Sequence, residues 1–274
     1  MRIRILAPAA ILLAALPALA WQSQSNQNAP AQTQQPRPKS QAEVAALQKV
    51  QQAYGAQNWD GAIQAINEVL ENFPNTEFKA QLLDMAAEAA ANKGDYAATI
   101  TYGERAAEAD PQNSSVLVLL AEDIAQHTHD TDFDKDQSIK KVNDYANKAL
   151  AILKDPNAPP PPGLPAAQWP ELRKQLTGQA YDALGQTAGL QKNYTEEINQ
   201  YKTSLSIYPS PVTMARLAKA YVDNKQYDDA IAEANQVLAM NDAPPQVKQF
   251  AQAQKDLATK AKGAAAPNTP PPAK

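Results

Sequence analysis

Between residues 42 and 262 apolar side chains recur at three- and four-residue steps, and long runs of strict apolar/polar alternation are absent. That period draws one apolar stripe down a helix and gives no strand a buried face, so the chain is expected to be helical. One stripe is Trp59, Ala62, Ile66 and Val69; another is Tyr227, Ala230, Ala234 and Val237. Small side chains there let two helices approach closely, and the aromatic at the head of each stripe fills the space between neighbours.

The stripe recurs at a fixed period. An aromatic followed fifteen residues later by proline occurs three times: Trp59 to Pro74, Tyr96 to Pro111 and Tyr194 to Pro209. Proline ends the helix, having no N–H to donate and a ring that clashes with the preceding turn. Trp59 and Tyr96 are 37 residues apart, and Tyr194 and Tyr227 are 33 apart, which is the length of one helical hairpin. Five units are expected, starting near Glu43, Ala80, Ser114, Gly178 and Pro211. In the third, Phe133 stands 23 residues before Pro156, so its second helix is expected to be later and longer, about Asp136 to Lys154, capped by Asp136 or Ser138.

Tyr181-x2-Leu184-Gly185, followed by Tyr194, Tyr201 and Pro209, resembles the tetratricopeptide repeat pattern W-x2-L-G-x2-Y…A-x3-F…P. Leu217-Ala218-x2-Tyr221 with Tyr227 and Ala230 resembles it too, and Asn92-Lys93-Gly94-Asp95-Tyr96 carries the turn between paired helices. The resemblance implies an all-α, right-handed α-solenoid of about five such hairpins with a C-terminal capping helix. It also implies that the first helix of each hairpin lines a concave face that binds a protein or peptide. In that register the groove residues are Gln51, Asp84, Glu88, Glu122, Asp182, Gln186, Arg216 and Lys219. Some members of the family capture a ligand carboxylate with Lys and Asn one helical turn apart. Ala215 and Lys219, and Asp182 and Gln186, stand in those places here. Glu197 also departs from the pattern, standing where a small residue usually permits close helix contact.

The flanks are of another kind. Residues 1–20 carry Arg2 and Arg4, an apolar stretch from Ile5 to Leu16 and a small-x-small site at Ala18-Leu19-Ala20, the layout of a signal peptide cleaved after Ala20. The apolar stretch is too short for a membrane span, and Pro8 and Pro17 interrupt it. Residues 21–41 are expected to be a disordered polar and proline tether, 42–157 the first three repeats, 158–170 a stiff proline-rich spacer and 171–243 the last two repeats. A capping helix over 244–262 and a disordered tail over 263–274 complete the chain. Trp169 ends the spacer, and packing back on the solenoid is favoured over service as a docking anchor.

Composition narrows function. The formal net charge is −4, and loss of Arg2 and Arg4 with the leader leaves 23 basic against 29 acidic residues, or −6. With a pI near 5.3 and no Lys/Arg cluster, a nucleic-acid partner is not expected. The chain has no cysteine, so disulfides and thiolate metal sites are excluded. No phosphate-loop, serine-nucleophile or zinc-protease motif occurs, and no cofactor is expected. The loop holding His127, His129, Asp130, Asp132, Asp134 and Asp136 is a weak candidate for a cation. The leading expectation is therefore an exported, periplasmic or secreted, non-catalytic protein-binding scaffold in the cell envelope. A cation-binding protein using the aspartate loop, or a hydrolase or glycan-processing enzyme, are the alternatives.

Overall fold

The computed structural model describes residues 36–161 and 164–265, which form eleven α-helices and no strand. The leader, the tether as far as residue 35 and the tail beyond 265 lie outside the described residues. The helices are α1 Gln41–Gly55, α2 Trp59–Asn72, α3 Lys79–Lys93, α4 Tyr96–Ala109, α5 Ser114–His127, α6 Lys135–Lys154, α7 Trp169–Leu190, α8 Tyr194–Ile207, α9 Pro211–Asp223, α10 Tyr227–Ala239 and α11 Pro245–Ala265. Each odd-numbered helix from α1 to α9 packs antiparallel-fashion against the next, each hairpin stacks on its neighbour, and α11 lies across both α9 and α10. This is an α-solenoid of five hairpins closed by a helix that covers the last one.

The period seen in the sequence has a local cause. Asn58, Asp95 and Asn193 cap α2, α4 and α8, their side chains accepting from the amides of Gly61, Ala98 and Glu196. Each cap satisfies an amide that the first turn leaves without a partner. The stripe behind it is buried: Ala62, Ile66 and Val69 in α2, and Ala230, Ala234 and Val237 in α10, are all fully inaccessible. At Gly185 a Cβ would come within 2.5 Å of the Tyr201 ring, so bare backbone is what lets α7 and α8 close up.

Four hairpins share one turn. The amides of Asn58, Asp95, Asn193 and Gln226 donate to carbonyls five residues back, at Ala53, Ala90, Ala188 and Tyr221. This is the bond of a Schellman motif, which needs a left-handed residue just past the helix. Gln57, Gly94, Lys192 and Lys225 hold that place with φ of 55°, 82°, 60° and 61°. Glycine occupies it in one hairpin, while the other three strain an L-residue there. Lys192→Gly and Lys225→Gly are each expected to raise stability by about 0.5–1 kcal/mol, read as a higher midpoint in urea melts.

Four local expectations are corrected. The α7 helix begins at Trp169, nine residues before Gly178. The proline segment ahead of it does not part three hairpins from two, because Ala158 and Leu164 pack on a core that runs unbroken from Leu117, Val142 and Leu153 to Trp169, Leu176 and Ala180. Trp169 is 8% exposed and its indole Nε1 donates to the Ala158 carbonyl at 2.9 Å, so it fastens the segment down. The α6 helix starts at Lys135 after Asp134, with no side-chain cap from Asp136 or Ser138. Finally, α11 runs to Ala265, so residues 263–265 continue the capping helix where a disordered tail was expected.

Glu197 stays inside, at 4% exposure. Room comes from Gly189 on the facing helix, where a Cβ would sit 2.7 Å from the Glu197 carboxyl carbon. Burial pushes its pKa up to about 7 against the downward pull of the Lys219 ammonium, and Oε2 has no hydrogen-bond partner.

Candidate functional site

The predicted groove residues fall into two clusters and one outlier, all on the first helices of their hairpins. The first cluster joins α1 to Asp84 and Glu88 on α3 through Tyr54, which stands three residues beyond Gln51 on α1. Asp84 and Glu88 are one turn apart and so share a face. Tyr54 Oη donates to the Glu88 carboxylate, and Asn113 Nδ2 donates to Asp84 Oδ2 at 2.9 Å. Asp84 is 4% exposed. Its Oδ1, like Gln51 Nε2 and the nearby Ser115 Oγ in α5, is buried without a partner. Burial raises both carboxyl pKa values, and the Asp84 charge raises that of Glu88 further.

The second cluster spans three hairpins. Arg216 on α9 donates to Asp182 on α7, and Gln186 Nε2, one turn along α7, donates to the same carboxylate at 2.9 Å. Gln179 Nε2 donates to Glu122 Oε2 of α5 at 3.2 Å. Burial, and then the Asp182 charge, push the Glu122 pKa up to about 8 against the pull of Arg216. Asp182 Oδ1 is buried without a partner. Glu122, Gln179, Asp182 and Arg216 line an open pocket of about 270 Å³, whose wall includes Gln175, Tyr208, Val212 and Asp242. Its origin is a difference in stacking: α5 packs closely along α7, whereas α9 stands away from α7.

Lys219 belongs to neither cluster. It is exposed and pairs with Asp223 one turn further along α9. Gln179 and Tyr54 were missed in the sequence. Gln179 was findable, because it stands three residues before Asp182 and therefore on the same helix face; Tyr54 reaches Glu88 only through the packing of α1 on the second hairpin.

The aspartate loop does not converge. His127 turns inward and stacks on Tyr96 with ring centroids 4.2 Å apart, its Nδ1 donating to the Asp123 carbonyl at 2.8 Å. His129 faces Asp132, at 3.3 Å, while Asp130 pairs with Lys135 at 2.9 Å and with Lys192 at 3.6 Å. Asp134 precedes the first turn of α6 and Asp136 lies within it. Phe133 stands fully exposed between these aspartates. Among the described residues no group of three or more His, Asp or Glu is placed to hold a metal ion.

Stacked helical hairpins with polar groups gathered on their first helices define a helical-repeat protein. Within that class the fold is the tetratricopeptide repeat fold. PilW, a widely conserved type IV pilus biogenesis factor, matches with a TM-score of 0.55 at 14% identity, over 82% of this chain and 92% of PilW. A thermophilic tetratricopeptide repeat protein of Thermus thermophilus matches with a TM-score of 0.53 at 14% identity, over 77% of this chain and 98% of its own. MamA matches with a TM-score of 0.51 at 16% identity, over 72% and 90%. No protein-family model and no curated protein matches the sequence. Among the described residues, no helix is long and apolar enough to cross a membrane.

Proposed function

We propose that this protein is a non-catalytic scaffold that holds a protein or peptide segment along the face made by α1, α3, α5, α7 and α9. The observation that supports it is the gathering of polar side chains from successive first helices into clusters on that face, Asp84 with Glu88 and Glu122 with Gln179, Asp182 and Arg216. A segment whose charges complement these clusters is steered to such a face and held in register on it. The signal-like residues 1–20 support an exported protein acting in the periplasm or beyond, as an adaptor in the cell envelope.

Affinity capture with the tagged mature chain from its own envelope tests the reading. A stoichiometric partner is expected, and Glu88→Lys or Glu122→Lys is expected to weaken its capture at least tenfold, since like-charge juxtaposition at an interface costs several kcal/mol. Capture that is unchanged by both reversals removes the groove as the binding face.

A further inference from the structure

We infer that the pocket between α5, α7 and α9 receives a lysine or arginine side chain of the bound segment. This rests on the protein-binding reading above and names the chemistry of the partner at one point. Size is the first ground. At about 270 Å³ the pocket falls below the ~300–1,000 Å³ of sites that hold whole small molecules, so it suits a single long side chain.

Charge is the second. Glu122, Asp182 and Asp242 line the pocket, and Arg216 is the cation among the lining residues. Arg216 is committed to Asp182, which leaves Glu122 accepting from the neutral amide of Gln179. Two carboxyl groups thus share one guanidinium, and burial with the Asp182 charge raises the Glu122 pKa to about 8, so Glu122 stays protonated at neutral pH until a counter-charge arrives. Asp182 itself is 2% exposed and already paired with Arg216, so Glu122 is the group left to an incoming cation. A cation entering the pocket supplies the counter-charge that lets Glu122 ionise, together with donors for its carboxylate.

The wall decides which kind of cation. Tyr208, Pro209, Pro211 and Val212 give one side of the pocket an apolar surface, against which the methylenes of a lysine or arginine lie while the head reaches the carboxylates. An acidic side chain brings a further negative charge to a pocket already lined by Glu122, Asp182 and Asp242, whose one lining cation is shared with Asp182. A metal ion is disfavoured because no group of three ligating side chains is assembled among the described residues.

The test is an amide-resolved NMR titration of the mature chain with four probes: the N-acetyl amides of arginine, lysine, norleucine and glutamate. The arginine and lysine derivatives are expected to give saturable shifts confined to residues 122–126, 175–182 and 212–216. Norleucine and glutamate are expected to give none. Glu122→Gln keeps the side-chain shape and removes the group that ionises against an incoming cation, so it is expected to fold and to weaken the cationic probes about tenfold. Asp242→Asn, at the exposed rim, is expected to weaken them about two- to threefold. Equal response to all four probes, no saturable shift at the pocket, or affinity unchanged in both variants overturns the inference. Partner capture that persists without any cation preference refutes the pocket alone. Cation preference with no captured partner refutes the scaffold reading and leaves the pocket standing.

Discussion

Trp169→Ala is expected to lower stability by about 3–5 kcal/mol, the cost of removing a large buried aromatic. The indole closes a core shared by α5, α6 and α7, and its N–H holds the Ala158 carbonyl. Its loss therefore opens a cavity and also frees the proline segment. Urea unfolding followed by circular dichroism measures the change, and in a solenoid the transition is expected to broaden as the third and fourth hairpins uncouple. Trp169→Phe separates the two contributions, keeping most of the packing and losing the hydrogen bond, for about 1 kcal/mol. A tryptophan serving as an exposed anchor would change stability by less than about 0.5 kcal/mol on truncation, and that result would return it to the docking role.

Stability is expected to rise as pH falls from 8.5 to 5.5, by a few kcal/mol in order of magnitude. Glu197 and Glu122 have folded-state pKa values of about 7 and about 8, and burial raises Asp84 and Glu88 as well. In the unfolded chain such groups titrate near ~4. Between these limits the folded chain binds more protons than the unfolded one, so stability is fully present below the unfolded values and is lost as pH rises through 7 to 8. Asp130, held low by Lys135, acts in the opposite sense but is solvent-exposed and screened. Glu197→Gln keeps the shape and removes the charge. At pH 8 it is expected to add about 1–3 kcal/mol and to flatten part of the slope. Urea midpoints at pH 5.5, 7 and 8.5 for both chains decide it; a wild-type optimum at pH 8 would contradict the burial of these carboxylates.

The hairpins were legible because the features that define them are local. An Asn or Asp cap, an aromatic, a stripe of small residues and a proline fix a helix within one stretch of chain, as Asn58 to Pro74 shows. What was illegible depends on contacts between units. The repeat register pointed to Gly178, although the boundary at 171 and the proline at 170 already mark the helix start at Trp169, whose indole docks on a core contributed by α5 and α6. The proline run reads as a spacer by composition, yet Ala158 and Leu164 tie it down. The groove register selected Glu122, Asp182 and Arg216 one by one. Their meeting depends on α5 packing closely along α7 and on the reach of Arg216 from α9, which no single repeat encodes. The left-handed turn residue was visible at Gly94 and hidden at Gln57, Lys192 and Lys225, where only the backbone reveals the shared geometry.

Gly189 and Glu197 occupy a single volume divided between two helices, which couples the two positions in substitution. A β-carbon at 189 meets the far end of the Glu197 side chain, and the carboxyl group must swing aside to admit it. Alanine at 189 is therefore expected to cost less beside a shortened residue at 197 than beside glutamate, a difference that a double-mutant cycle of Gly189→Ala and Glu197→Ala reads directly.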